Sequence, residues 1–275
     1  MSQGFLPYGL IATDLDGTLL GSDHQVSSRN REALAAATAA GAAHIVVTGR
    51  PASRTLHVFE ALGYEGLAVC GQGSEVYHAG ERRLLTSVTL DRSSAQLALA
   101  KIEAETGPLR LGFVRDGLDG AYLAGPGFQL AWDKPIDGRM TSRDELWAEP
   151  LAKIFVQHGD PGVGEDELAA IARAAAGDLV GIVVSGIGIV ELLPLGLTKA
   201  TGLSLAARRL GFKAADTIAF GDMPNDIPMF GWAAYGVAMA NAHDELKAVA
   251  DEVTASNDED GIAEVLERLL AGPAA

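Results

Sequence analysis

Ile11-Ala12-Thr13-Asp14-Leu15-Asp16-Gly17-Thr18-Leu19-Leu20 is the stretch whose reading decides the fold. An apolar run ends at two carboxylates one residue apart, and Gly-Thr follows at once. Such a run reads as a buried parallel strand with the acids at its carboxyl end. That end is where open α/β sheets place their ligands. Two anions this close repel unless a cation or a shared proton intervenes. Mg²⁺ is the simplest such cation, because it binds through few carboxylates and keeps other positions for water and substrate phosphate. The stretch therefore points to phosphoryl chemistry with an aspartate nucleophile.

Working outward, strand and helix patterns alternate. Ser27 to Ala40 is helix-like, with Ser27 or Ser28 as N-cap and Gly41 as its stop. Ala43 to Val47 is a second buried strand, ending at Thr48-Gly49-Arg50. Pro51 to Leu62 suits one helix with proline in its first turn. Leu67 to Cys70 is a third strand, ending at Gly71-Gln72-Gly73. This alternation implies right-handed βαβ units and a parallel sheet. From about Thr86 the texture changes to short strand pairs with helical patterns at Asp91 to Thr106 and Glu165 to Ala176, as expected of an inserted α+β unit. The parallel pattern returns with a helix over Thr198 to Leu210, a strand over Thr217 to Phe220 and the polar run Gly221-Asp222-Met223-Pro224-Asn225-Asp226. A short helix over 227–233, a strand over 236–239 and a helix over 241–250 follow, then a closing helix over 260–270. The expected organisation is an α/β, Rossmann-like core over 1–83 and 189–275, with an α+β unit over 84–188.

Composition narrows the function. The chain has 275 residues, enough for one large domain or two modest ones. A net charge of −15 argues against nucleic acid or an anionic membrane as partner. It leaves room for a small anionic substrate, because a metal and a few local cations invert the field at a site. Cys70 is the single cysteine, so no intrachain disulfide forms. Met1 to Gly9 has neither a basic nor a long apolar region, so no signal peptide is expected. Leu179 to Val190 is too short for a membrane span and is broken by Ser185, Gly186 and Gly188. The expectation is a cytoplasmic protein, a monomer or a homodimer.

Four polar clusters follow four of these elements: Asp14/Asp16, Thr48, Lys199 and Asp222/Asn225/Asp226. Three of them end apolar strands, so one sheet can carry them to one rim. Metal-dependent phosphoryl transfer needs these residue types. A carboxylate attacks phosphorus, a second carboxylate serves as acid and then base, and a hydroxyl and an ammonium hold the non-bridging oxygens. Taken singly, each has an ordinary reading: Asp-x-Asp as a turn, Thr48 as a strand-end hydroxyl, Asp222 and Asp226 as loop and cap residues. Lys199 near a helix N-terminus is a mild misfit, because the dipole there disfavours a cation. Arg50 reads equally as an anion contact or a surface ion pair. Trp132, Trp147 and Trp232 read as packing residues, with Trp132-Asp133-Lys134 a candidate pocket wall. Gly71-x-Gly73 is too short for a nucleotide fingerprint.

Asp14-Leu15-Asp16-Gly17-Thr18 resembles the first motif of the haloacid dehalogenase superfamily of phosphatases. Thr48 in Val-Val-Thr-Gly-Arg resembles its second motif, Lys199 its third and Gly221-Asp222-x-x-Asn225-Asp226 its fourth. The runs Gly236-Val-Ala-Met-Ala-Asn-Ala-His and Asn257-Asp-Glu-Asp-Gly261 resemble its Cof-type subgroup, which carries a larger (C2B) cap between the second and third motifs. The resemblance implies Asp14 as nucleophile and Asp16 as general acid/base. It implies Mg²⁺ held by the Asp14 carboxylate, the Asp16 backbone carbonyl and Asp222. It implies Thr48 and Lys199 on the transferring phosphoryl group, with Asn225 and the supporting Asp226 ordering the metal waters and the phosphate or lysine side; Gly49, Arg50 and Asn225 are the candidate substrate contacts. The implied reaction is hydrolysis of a small phosphorylated metabolite, with the cap reading the leaving group. A phosphomutase sharing the aspartyl-phosphate is the nearest rival, and a non-catalytic phospho-ligand sensor a distant one. Two departures stand out: Gln72-Gly73 occupies the place of a common Asn-Gly, and Ala200 follows Lys199 where glycine is common.

Overall fold

The computed structural model describes residues 6–129, 137–139, 143–186 and 189–272. The candidate pocket wall Trp132-Asp133-Lys134 lies outside them. The chain forms two compact units, Met1–Leu85 with Thr198–Ala275, and Thr86–Leu197.

In chain order, the first unit contains β1 (Leu10–Thr13), α1 (Ser28–Ala39), β2 (Ala43–Val47), α2 (Leu56–Leu62), β3 (Leu67–Cys70), β4 (Glu75–His78) and β5 (Arg83–Ser87), which runs into the second. The second unit contains α3 (Arg92–Thr106), β6 (Arg110–Arg115), β7 (Tyr122–Ala124), β8 (Gly138–Arg139), β9 (Leu151–Gln157), α4 (Glu165–Ala176), β10 (Gly181–Gly186) and β11 (Ile189–Leu193). The first unit then resumes with α5 (Lys199–Arg209), β12 (Thr217–Gly221), α6 (Ile227–Trp232), β13 (Tyr235–Ala238), α7 (Asp244–Lys247), β14 (Glu252–Val253) and α8 (Gly261–Ala271).

The first unit's sheet has the order β14-β13-β12-β1-β2-β3-β4-β5 among the described residues. From β14 to β3 every pairing is parallel, and β3 to β4 is antiparallel. The chain leaves the central strand β1 toward β2 and β3, and later returns on its other side as β12. The strand order therefore reverses at the β1/β12 boundary, the kind of crevice where α/β sheets bind ligands. β1, β3 and β12 are buried along their whole length, as strands covered on both faces must be.

The second unit's sheet has the order β10-β11-β9-β6-β7-β8. Strand alternation divides its side chains between two faces. Leu111, Phe113, Ile154, Val156, Val190 and Leu192 pack with Ala98 and Ile102 of α3 and with Leu168 and Ala172 of α4. The opposite face carries Val114, Ala124, Phe128, Ala152, Phe155 and Ile189.

Three expectations are corrected. The inserted unit does not end at 188: β11 pairs antiparallel with β10 and β9, so 189–197 belong to its sheet. The hairpin partner, not the apolar content of the strand, decides this. The single helix expected over 51–62 is a short 3₁₀ turn (Ala52–Arg54) followed by α2. The turn starts where the buried Glu75 carboxylate accepts the Ala52 N–H at 2.7 Å. The helix expected over 241–250 is confined to α7. No helix among the described residues is long and apolar enough to cross a membrane.

Candidate active site

The site residues stand at the carboxyl ends of adjacent strands. The Asp14 N–H donates to the Phe220 carbonyl at 2.9 Å, so Asp14 extends the β1/β12 pairing by one residue. The chain then turns sharply. Gly17 has φ +73°, and a Cβ there would lie 2.3 Å from Asp222 Oδ2, so only glycine fits the close approach of this turn to the fourth cluster. The turn is braced from a distance. Asn241 Nδ2 donates to the Gly17 carbonyl at 2.8 Å, and Asn257 Nδ2 donates to the Leu20 carbonyl at 2.9 Å. The Asn257 N–H in turn donates to Asn241 Oδ1. Sequence reasoning noted both runs as resemblances and missed these bracing roles.

Lys199 is the first residue of α5. Its predecessor Thr198 caps the helix reciprocally with Thr201. The Lys199 ammonium is 2% exposed and donates to Asp14 Oδ1 at 2.6 Å and to Asp226 Oδ1 at 2.7 Å. The cation at a helix N-terminus is thus held against the dipole by two carboxylates. Asp226 is wholly buried, and its Oδ2 accepts the N–H groups of Asp222 and Met223, both at 3.1 Å. Both of its oxygens are therefore committed to protein donors. Thr18 Oγ1 donates to Asp222 Oδ1 at 3.3 Å.

Oxygens of Asp14, Asp222 and Asp226 lie within 4.8 Å of one another. Three buried carboxylates against one ammonium leave excess negative charge. Burial first, and then Asp226 and Asp222, push the Asp14 carboxyl well above the ordinary range despite the opposing pull of Lys199. Burial and Asp226 push Asp222 up to about 7. Burial alone would lower Lys199, but Asp14 and Asp226 outweigh it and raise the ammonium. A divalent cation would relieve this imbalance, and hard carboxylate oxygens are the donors Mg²⁺ takes. Asp14 and Asp222 fit that role. Asp226 does not, because its oxygens already accept from Lys199 and two backbone groups. The Asp16 carboxylate is not in this cluster: it is half-exposed and paired with Arg50, whose Nε donates to Asp16 Oδ2 at 2.7 Å.

Thr48 is buried at the end of β2, and its Oγ1 accepts the Arg50 N–H at 3.1 Å. The turn after β3 locks onto this loop. Gln72 N–H donates to the Thr48 carbonyl at 3.2 Å, and Gly71 N–H donates to the Arg50 carbonyl at 2.8 Å. Gly73, at φ +101°, lies so close to α5 that a Cβ would sit 2.0 Å from the Thr198 carbonyl oxygen. The Gly71-x-Gly73 run thus has a packing reason that its spacing did not disclose: it seats the helix that carries Lys199. All the expected site residues lie in the first unit. The structure joins Asp14, Lys199, Asp222 and Asp226 in one cluster, Asp16 with Arg50, and Thr48 and Gly49 with the Gln72 turn that reaches Asn225.

Residues 11–266 match the sequence profile of the haloacid dehalogenase-like hydrolases. The chain is 32% identical to 5-amino-6-(5-phospho-D-ribitylamino)uracil phosphatase YwtE of Bacillus subtilis, over 95% of this chain and 98% of that protein. It is 30% identical to phosphatase YwpJ of the same organism, over 95% of this chain and 99% of that one. The solved structure of a haloacid dehalogenase-like hydrolase from B. subtilis superposes with a TM-score of 0.78 at 28% identity, covering 95% of this chain and 99% of that one.

Proposed function

The chain belongs to the haloacid dehalogenase-like hydrolases and is a phosphatase, a phosphoric monoester hydrolase, and from that premise we propose that it hydrolyses a small phosphorylated metabolite through an aspartyl-phosphate on Asp14. The observation that carries this reading is Lys199 Nζ between Asp14 and Asp226 at the end of the central strand. It puts an ammonium beside the attacking carboxylate, where the charge of a phosphoryl group must be met.

In the first step an Asp14 carboxylate oxygen forms a bond to phosphorus while the ester P–O bond breaks. Asp16 gives its proton to the leaving oxygen. In the second step water attacks phosphorus, Asp16 takes the water proton, and the Asp14–phosphorus bond breaks to release inorganic phosphate. Lys199 and the Thr48 hydroxyl hold the non-bridging oxygens, and Asp226 holds Lys199 in place. Mg²⁺ bound by Asp14, Asp222 and the Asp16 carbonyl would neutralise charge on the phosphoryl group. Arg50 is paired with Asp16 at rest; its transfer to the substrate anion would release Asp16 to take a proton from solvent, and that proton is the one Asp16 gives to the leaving oxygen. Gly49 and Asn225 complete the substrate contacts, and the inserted unit is the proposed determinant of the leaving group. That one relative is named for a ribityl phosphate supports a small phosphomonoester as substrate.

The test is phosphate release from p-nitrophenyl phosphate with and without Mg²⁺, for the native chain and Asp14→Asn in parallel. Mg²⁺-dependent release that falls at least a thousandfold in Asp14→Asn is the expected result. Equal rates in the two proteins would remove the nucleophile assignment.

A further inference from the structure

Glu75 opens β4 and is 1% exposed. No step of the proposed reaction uses it. Burying a carboxylate is costly unless hydrogen bonds compensate it. Its Oε2 accepts the Ala52 N–H at 2.7 Å, from 23 positions away in the chain.

Ala52 begins the 3₁₀ turn that follows the Thr48-Gly49-Arg50 loop. The first N–H groups of such a turn have no partner within it. A Ser, Thr, Asp or Asn side chain just before the turn is the ordinary partner. Pro51 stands there instead and makes no side-chain cap. Proline carries no N–H, so the Ala52 amide is the first backbone donor after Arg50. Pro51 also biases Arg50 toward an extended backbone. The position that could cap the turn locally is thus occupied by a residue that stiffens Arg50, and the cap comes from another strand.

The Arg50 backbone is held at its other groups as well. Its N–H donates to Thr48 Oγ1 at 3.1 Å, and its carbonyl accepts the Gly71 N–H at 2.8 Å. Gly71 begins the turn that joins β3 to β4, and Cys70 and Glu75 stand opposite one another in that antiparallel pair. One hairpin therefore holds the chain on both sides of Pro51, through the Gly71 amide at Arg50 and through the Glu75 carboxylate at Ala52. These contacts fix the root of the Arg50 side chain. That side chain is 10% exposed, and its Nε donates to Asp16 Oδ2 at 2.7 Å. A long side chain loses rotamer freedom when it reaches a partner, and a backbone free to shift would add to that cost.

We propose that Glu75 is a positioning residue for Arg50. By holding the Ala52 amide it fixes the backbone from which Arg50 reaches Asp16 at rest and the substrate anion during turnover. The inference rests on the proposed role of Arg50 and adds a residue that acts through it. Glu75 works as an acceptor at a set distance, so its length and its oxygen matter and its charge does not.

Three substitutions separate this role from that of an ordinary structural cap. Glu75→Gln keeps the length and an acceptor oxygen. Glu75→Asp keeps the charge but is one methylene short of Ala52. Glu75→Ala removes both, and Glu75→Asp carries the comparison if alanine at this buried position prevents folding. Each is made in the native chain and in Arg50→Ala. The readouts are kcat/KM for p-nitrophenyl phosphate with Mg²⁺ and the melting temperature of the same preparation. With Arg50 present, Glu75→Asp and Glu75→Ala should each lower kcat/KM about ten- to a hundredfold, the usual scale of a small misplacement. Glu75→Gln should stay within about threefold of the native value. In Arg50→Ala, the aspartate and alanine substitutions should change kcat/KM by less than about threefold, because residues that act through one group are not additive. The melting temperature should fall by the same amount in both backgrounds, so that rate and stability part.

Equal losses of kcat/KM with and without Arg50 overturn the proposal. So does a Glu75→Gln variant that falls as far as Glu75→Ala, an unchanged rate in Glu75→Asp and Glu75→Ala, or an Arg50→Ala variant as active as the native chain. Mg²⁺-dependent release that is lost in Asp14→Asn, together with equal Glu75 losses in both backgrounds, leaves the phosphatase mechanism standing and sinks only the positioning role. No release from the native chain sinks both.

Discussion

Lys199 Nζ and Asp14 Oδ1 are 2.6 Å apart although the two residues are separated by 185 positions in the chain. The ammonium is the single cation in a cluster with three buried carboxylates, and it sits at a helix N-terminus where the backbone dipole opposes it. Its position is a product of the site rather than of the helix. The fold accepts a locally unfavourable placement in order to set a positive charge beside the attacking oxygen.

Removing that cation has a defined consequence. Lys199→Met leaves Asp14 and Asp226 buried without their partner, and breaking a buried pair typically costs about 3–5 kcal/mol. Denaturant unfolding at pH 8 should show a loss of this order. The loss should shrink at pH 5, because burial raises the Asp14 carboxyl and removing Lys199 takes away the charge that lowers it, so Asp14 takes up a proton. Phosphate release should fall by about 10²–10³, the usual cost of removing one charge-stabilising donor. A variant as stable as the native chain at pH 8 would contradict the pairing.

Gly73 supports the same lysine through backbone contact. Any side chain at Gly73 meets the Thr198 carbonyl, and a Cβ on Gly202 in α5 would lie 2.7 Å from Gly73 Cα. The turn and the helix are therefore in van der Waals contact along their backbones. Gly73→Ala adds the cost of a left-handed alanine, roughly 1 kcal/mol, to the displacement of α5. It should lower the melting temperature by several degrees and reduce kcat more than it raises KM, because Lys199 moves away from Asp14. Thermal unfolding and steady-state kinetics on one preparation check both parts.

Asp222 makes the metal-free protein pH-sensitive in a direction opposite to ordinary acid denaturation. Its folded-state carboxyl is pushed up to about 7 by burial and Asp226. The folded chain therefore binds more protons here than the unfolded chain between about pH 4 and 7. This contribution favours folding at the acid end and is lost as pH rises through 7. Asp222→Asn should thus match native stability near pH 4–5 in metal-free buffer and exceed it at pH 8. Mg²⁺ should invert the comparison at pH 8. At about 100 times its Kd it should raise the native melting temperature by roughly 5 °C and leave Asp222→Asn almost unmoved. A Mg²⁺ response of equal size in both proteins would remove Asp222 from the metal site.

Much of this protein was legible in local pattern. The buried strand β1 shows itself as an uninterrupted apolar run, and the acids and glycine after it declare a ligand-binding turn. Thr48, Lys199 and the Asp222–Asp226 run each follow an element that hydrophobic periodicity marks. The extent of the inserted unit was less legible. β11 is buried along its whole length like a strand of the first sheet, and only its antiparallel partners β10 and β9 assign it to the second sheet. Asn241 and Asn257 carried a signal as motif residues, but their hydrogen bonds to Gly17 and Leu20 join segments more than 200 residues apart.

The sequence by itself determined which residues carry charge at strand ends, because apolar period, glycine placement and acid spacing are short-range codes written within a few residues. The tertiary structure alone decided which carboxylate takes the lysine, that Asp226 is spent on backbone donors while Asp222 is not, and that Asp16 rests on Arg50. It alone decided that Gln72 is bent into a left-handed turn against Gly49 and Asn225. These outcomes depend on distances of a few ångströms between segments that meet only when the sheet order reverses at β1 and β12, and local periodicity holds no record of such distances.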